Sequence, residues 1–187
     1  MIAPQYQDLS RFRVPPGFRG KGSVRVQLWW IVQATLFRFS PKFMYGFRRF
    51  LLRAFGAQIG RCVLIRSTAT VTYPWKLRIG DYSWLGDDTV VYNLAQVDIG
   101  ANVAIAHRVY LCTGSHSITS MTFDIAGRPI VIENEVWLAD DVFVGPGISI
   151  GRGAVIGARS SVFKDMPEGM VCYGYPCSPK KRRAVVT

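Results

Sequence analysis

Residues 132–162 read IENEVWLADDVFVGPGISIGRGAVIGARSSV, and Ile132, Leu138, Val144, Ile150, Ile156 and Val162 fall at every sixth position. A period of six matches neither the 3.6-residue turn of a helix nor the two-residue alternation of a half-buried strand. It suits a solenoid in which each unit is one short strand and a turn, three units close a triangular coil, and the recurring apolar side chain points to the axis. Coils then stack, each covering its neighbour's backbone edge and apolar row.

The same frame extends towards the N-terminus through Ile59, Ile65, Val71 and Leu77, then Ile79, Leu85, Val91 and Val97, then Ile99, Ile105 and Leu111. Ile-Gly steps recur at 59–60, 79–80, 99–100, 150–151 and 156–157. The residue four places after each apolar position is again apolar or small, from Val63 and Ala69 to Ala154 and Ser160, with Trp75 the exception. Gly, Asn and Asp fill the places between, which suits corners that need positive φ. The register slips by two residues at 77–79 and at 97–99, predicting a small bulge at one corner of those coils. A third slip leaves residues 112–131 outside the frame, with Thr113-Gly114-Ser115-His116 at their start and Gly127-Arg128-Pro129 near their end. A long excursion from a regular scaffold is where chemistry is expected.

The chain of 187 residues divides into a basic helical segment (1–58), the β-helix (59–168) and a basic tail (169–187). Residues 1–58 hold ten Lys and Arg against Asp8 alone, residues 59–179 hold nine against eleven acids, and Lys180, Lys181, Arg182 and Arg183 follow. The net charge of +11 therefore belongs to the two ends. Cys62, Cys112, Cys172 and Cys177 show no CxxC spacing, so no metal site is expected. Residues 1–13 are polar and lack the apolar core of a secretion signal, so a reduced, cytoplasmic protein is expected.

Residues 24–37 are apolar and aromatic but too short, and too interrupted by Arg25, Gln27 and Gln33, to span a bilayer. Ser40-Pro41 reads as the start of a second helix running to Phe55, with Met44, Phe47, Leu51 and Phe55 on one face, Arg49 and Arg53 on another, and Gly56 as its stop. Two roles are open to these helices. They can cap the first coil. They can also lie on an anionic membrane, with Trp29, Trp30 and Phe37 at the interface and arginines on headgroups, as a peripheral association at the inner face of the cell membrane. No nucleic-acid motif accompanies the charge, so nucleic acid is not an expected partner.

The chain has two histidines. His107 lies inside a regular hexapeptide and reads as an outward corner residue. His116 opens the long excursion, and histidine is the side chain best suited to take a proton at neutral pH. Cys112 is near it in the chain, which leaves a Cys-His pair as an alternative.

Thr113-Gly114-Ser115-His116, Val136-Trp137-Leu138-Ala139-Asp140, Pro146-Gly147, Ile156-Gly157-Ala158, Lys164-Asp165-Met166-Pro167 and Gly174-Tyr175-Pro176 resemble the galactoside, maltose and nodulation O-acetyltransferases over residues 59–181. Gln27-Leu28-Trp29-Trp30, Phe43-Met44-Tyr45-Gly46 and Arg49-Phe50-Leu51-Leu52 extend the resemblance to the acetyltransferases of colanic acid biosynthesis. The resemblance implies a mainly β, left-handed parallel β-helix and a homotrimer with acetyl-CoA in a groove between subunits. It implies that His116 is a general base for a sugar hydroxyl attacking the thioester directly, with a backbone N–H steadying the oxyanion. Positions matching cofactor contacts are Trp137, Asp140, Ala158, Phe163, Lys164 and Lys181; Asp140 and Phe163 depart from the small polar residues usual there. Asn93, with Tyr92 and Asp87, falls on the acceptor side.

The expected acceptor is a sugar of a surface-polysaccharide precursor, soluble or lipid-linked. A small acceptor such as serine, a free sugar or an antibiotic is the alternative, as is a non-catalytic trimeric scaffold. A zinc hydratase on the same solenoid would need three histidine ligands, which two histidines do not supply.

Overall fold

In a computed structural model, which describes residues 5–184, the period of six becomes a parallel β-solenoid of five triangular coils. Ile59, Ile79, Ile99, Ile132 and Ile150 stack on the first face. Ile65, Leu85, Ile105, Leu138, Ile156 and Cys172 stack on the second. Val71, Val91, Leu111, Val144 and Val162 stack on the third. All of these side chains are buried, and together they form one continuous core along the axis. Residues 170–182, within the span read as a tail, form a hairpin (Met170–Gly174 with Cys177–Arg182) that continues the second face. All four cysteines are free.

The corners differ from expectation in where the unusual backbone lies. Positive φ falls on the third residue after many of the inward ones, at Cys62, Tyr82, Asp88, Asn102, Arg108, Glu135, Asp141 and Arg159 and at Gly147 and Gly153, so most of these positions are not glycine. The Ile-Gly glycines are needed for space instead. A Cβ on Gly80 would lie 2.6 Å from the backbone nitrogen of Ala101 in the next coil. Left-handed backbone at a residue with a Cβ costs about 1–2 kcal/mol. The exposed Cys62, at φ 53°, is therefore expected to gain about 1 kcal/mol on replacement by Gly. Differential scanning calorimetry should show that as a rise of about 2–4 °C in Tm.

The register slips place Pro74–Lys76 in a short 3-10 turn at the third-to-first corner. The exceptional Trp75 stacks on Tyr73 there and donates its indole N–H to the Arg19 carbonyl, so the bulge receives the N-terminal segment.

The N-terminal segment forms α1 (Ser23–Val32), a wider turn over Gln33–Phe37, and α2 (Tyr45–Ala54). α2 begins four residues later than Ser40-Pro41 predicts, because the Ser40 hydroxyl donates to the Phe37 carbonyl and accepts from Arg48 instead of capping a helix. Gly56, at φ 102°, ends it as expected. The segment closes the free edge of the first coil on all three faces. Arg53 donates to the Ile59 and Gly60 carbonyls, Arg49 to Val63 and Arg48 to Ile65. On the third face, Trp29 donates to the Val71 carbonyl and Gln33 accepts from the Val71 N–H. Two expectations are thereby corrected. Trp29 and Phe37 are fully buried and cannot reach a membrane, and Arg49 and Arg53 are directed at backbone carbonyls, not at headgroups.

Candidate active site

The excursion after Tyr110–Cys112 is a two-stranded antiparallel arm, Gly114–His116 against Ile125–Gly127, standing on the third-to-first corner. Its root is held by the buried Thr113, whose hydroxyl donates to the Tyr92 carbonyl and accepts from the Ala95 N–H. Gly114 lets the arm lie directly on the coil above: a Cβ there would fall 2.8 Å from both Leu94 Cδ1 and Tyr92 Cε1. The tip is organised by Asp124, which accepts from the hydroxyls of Thr122 and Ser120, and these bonds hold its carboxyl below the usual range.

His116 closes the first strand of the arm. Its Nδ1 lies 2.8 Å from the Phe123 carbonyl oxygen. A carbonyl can only accept, so Nδ1 carries the proton and the neutral ring presents Nε2 as a base. Phe123 sits at φ 53°, which makes it a strained residue next to this imidazole. Its ring stacks on His116 with centroids 4.0 Å apart, and Phe12 from the N-terminal arm approaches the same imidazole at 5.9 Å. Cys112 does not pair with this histidine. Its thiol donates to the Gly114 carbonyl, and burial pushes its pKa up, away from thiolate chemistry.

A second set of groups lies across the third face, on the corner that joins it to the second. Asp87, His107 and Asp140 form a column along the axis: His107 Nδ1 is 3.1 Å from Asp140 Oδ1, and Nε2 is 4.0 Å from Asp87 Oδ2. Asp87 also accepts from Thr68 and lies 3.4 Å from Arg66. Beside this column the second face carries an apolar groove of about 410 Å³. The groove exists because Ala104 sits in register between two half-exposed tryptophans, Trp84 and Trp137. Tyr45, Arg66 and His107 also line it.

Of the acceptor-side expectations, Tyr92 is half-buried beneath the arm and Asp87 belongs to the opposite corner. Asn93 is tied to the neighbouring coil. It is fully buried, its oxygen accepts from the Tyr73 N–H, and its amide donates to the Tyr73 and Lys76 carbonyls, so it holds the bulge. The cofactor-side residues divide. Trp137 is in the groove and Asp140 and Ala158 are on the far corner, whereas Phe163 and Lys164 follow the last third-face strand, on the same edge as His116 and two coils away. Lys181 pairs with Val171 in the terminal hairpin.

Between the two edges runs a stripe of aromatic rings on the third face. Tyr92, Tyr110, Phe143, Phe163 and Tyr175 follow one another at centroid separations of 5.8–6.4 Å. One protomer thus holds His116 on one edge of this face and the groove beyond the other.

Sequence reasoning missed Phe123, Phe12 and Trp84. The first two depend on how the arm and the N-terminus fold back, and no spacing signals that. Trp84 was accessible: it precedes Ala104 by one 20-residue coil, and Ala104 aligns with Trp137 across the excursion.

The chain matches no protein-family model. It is 56% identical over 170 residues, 91% of this chain and 93% of the other, to the "Putative colanic acid biosynthesis acetyltransferase WcaF" of Escherichia coli (strain K12). Among solved structures it is similar to a maltose O-acetyltransferase from Clostridium difficile 630, with TM-score 0.80 and 27% identity over 87% of this chain and 88% of that one. The fold is also that of a hexapeptide-repeat-containing acetyltransferase of Vibrio cholerae O1 biovar eltor, VCA0836, complexed with acetyl coenzyme A, with TM-score 0.78 and 23% identity over 87% and 88% of the two chains.

Proposed function

The chain belongs to the hexapeptide-repeat acetyltransferases, and from this we propose that it transfers the acetyl group of acetyl-CoA to a sugar hydroxyl of a surface-polysaccharide precursor, with His116 as the general base. The observation that carries the base assignment is the Nδ1–H bond to the Phe123 carbonyl, which leaves Nε2 free to accept a proton. In this reading Nε2 withdraws the proton of the acceptor hydroxyl as its oxygen bonds to the acetyl carbon. A backbone N–H steadies the charge that develops on the carbonyl oxygen, and the imidazolium returns its proton to the departing sulfur. No covalent enzyme intermediate is needed, in keeping with the protonated state that burial favours for Cys112.

The acceptor is taken as lipid-linked, at the cytoplasmic face of the cell membrane. Trp84 and Trp137 suit the flat apolar faces of a pyranose or the pantetheine arm, while Asp87, His107 and Asp140 offer polar partners at the groove's edge. Lys164 and Lys181, both exposed, supply positive charge for the phosphates of the donor.

The active assembly is a homotrimer with three equivalent shared sites. Supporting this, the base and the groove lie beyond opposite edges of the third face, and the stripe between them exposes Tyr110, Phe163 and Tyr175. A ring of copies with that face inward sets the His116 edge of one protomer against the Asp140–Ala158 corner of the next, a head-to-tail contact that closes.

Mixed assemblies test this. His116→Ala and Ala158→Trp are each expected to be inactive alone. Co-refolded in equal amounts, they should recover about a quarter of the wild-type CoA release, because one site in four combines an intact loop with an intact corner. No recovery, with both variants trimeric, places the site within one protomer and sinks the shared-site reading.

A further inference from the structure

Between Asp8 and Asp81 the chain has fourteen Lys and Arg and no acid. Several of these cations are occupied: Arg48, Arg49 and Arg53 all turn inward to carbonyls of the first coil. The outer side of the same cap is apolar. Leu28, Ile31, Leu36, Phe39, Phe43 and Phe50 are exposed, Phe39 and Phe43 at 82% and 80%. Four of these, Leu28, Ile31, Leu36 and Phe39, follow one another along the segment, and Phe43 and Phe50 flank them in sequence. Leu28 and Ile31 are one turn apart on α1, the Thr35 hydroxyl donates to the Ile31 carbonyl, and Thr35, Leu36 and Phe39 line a shallow hollow of about 370 Å³ with Met44 and Phe47. Lys21, Arg38 and Lys42, all exposed, lie along the same segment.

A cap that only closes a solenoid needs a polar outer face to stay soluble. Here the outer face is apolar, and its segment carries the exposed Lys21 and Lys42 and no acid, while Arg38 turns to Asp88 of the solenoid at 3.9 Å; this pattern matches a surface that is itself apolar below an anionic layer. No described helix is long and apolar enough to cross a membrane. The cap also adjoins the groove, since Tyr45 lines it and follows the exposed Phe43 by two residues.

We propose that the outer face of the cap, centred on Leu36, Phe39 and Phe43 with Lys42 at its rim, docks the protein on an anionic phospholipid bilayer, bringing the groove beside the membrane. Its use in turnover rests on the reading of a lipid-linked acceptor, but docking is measurable without turnover.

The test is sedimentation of the full chain with phosphatidylglycerol-containing vesicles and with pure phosphatidylcholine vesicles. The wild type should pellet with the anionic vesicles, less so as salt rises. Phe39→Ser with Phe43→Ser should lower the vesicle partition coefficient by about tenfold or more, and Lys42→Glu by about fivefold or more. Lys42→Glu, at an exposed side chain, keeps the test alive if the double variant fails to fold. Equal pelleting with neutral vesicles, or unchanged binding by folded variants, overturns the proposal. A change in sedimentation mass of the double variant without lipid overturns it too, because the face would then join copies of this chain. Acetyl transfer to a soluble sugar, followed in parallel, should stay at the wild-type rate in these variants. A wild type that binds vesicles but transfers no acetyl group to any sugar leaves docking standing and removes the catalytic reading.

Discussion

Replacing His116 by Asn should lower kcat for acetyl transfer by about 100- to 10,000-fold, the usual contribution of a positioned general base. Asn is chosen because its amide can still donate to the Phe123 carbonyl from near the position of Nδ1, which preserves the tie across the arm. What it lacks is a basic atom at the position of Nε2. Asn fills nearly the same space and keeps the arm in place, so KM for acetyl-CoA should change little while kcat falls. Steady-state rates with the released thiol as readout separate the two. A variant that retains wild-type kcat would remove His116 from the chemistry, and a loss confined to KM would make it a binding residue. The complementary change is Phe123→Gly, which keeps the carbonyl and relieves the left-handed backbone but deletes the stacked ring. It should loosen the imidazole and lower kcat by much less than His116→Asn.

The largest effect on stability is expected at Arg48. Its guanidinium is fully buried and has no carboxylate in contact with it. Burial presses its pKa down, and the charged form is held by bonds to the Ile65, Pro41 and Lys42 carbonyls and the Ser40 hydroxyl, with the Tyr45 ring 4.9 Å away. Met at this position keeps much of the stem but leaves the Ile65 and Lys42 carbonyls without a donor, while the Pro41 carbonyl keeps the Met44 N–H. Each orphaned acceptor costs about 1–3 kcal/mol, so a loss of about 3–5 kcal/mol is expected. A denaturant titration should show it as a lower midpoint with an unchanged slope. Because Arg48 ties residues 40–42 to the first coil, amide exchange should rise first in that segment. A stability within 1 kcal/mol of wild type would mean that water replaces the guanidinium at little cost.

Legibility followed distance along the chain. The inward rows could be read because every coil repeats the same constraint, so Ile59, Ile79 and Ile99 identify one another without any knowledge of the third dimension. The excursion stood out for the same reason, as the place where the constraint lapses, and it brought His116 into view. The bonds of Asn93 could not be read because an asparagine at a corner looks the same whether it faces a ligand or fastens the backbone of the neighbouring coil; its partners, Tyr73 and Lys76, lie about one coil away. The arginines were ambiguous in the same way. A basic, aromatic stretch suits a membrane or the open edge of a β-sheet equally well, and here the two kinds of residue separate, with Arg48, Arg49 and Arg53 turned inside to the sheet edge and Phe39 and Phe43 outside.

The repeat running from Ile59 to Val162 was enough to specify the solenoid, its three faces and the interruption that carries His116, because a six-residue period closed in three units brings every recurring apolar residue to the axis. Which atom of His116 is free, which tryptophan faces Trp137, and on which sides of the third face the base and the groove lie could not follow from it. Those depend on contacts between segments 7 to 33 residues apart, such as His116 with Phe123 and Ala104 with Trp137, and such contacts exist only once the coils have stacked and the arm has folded back.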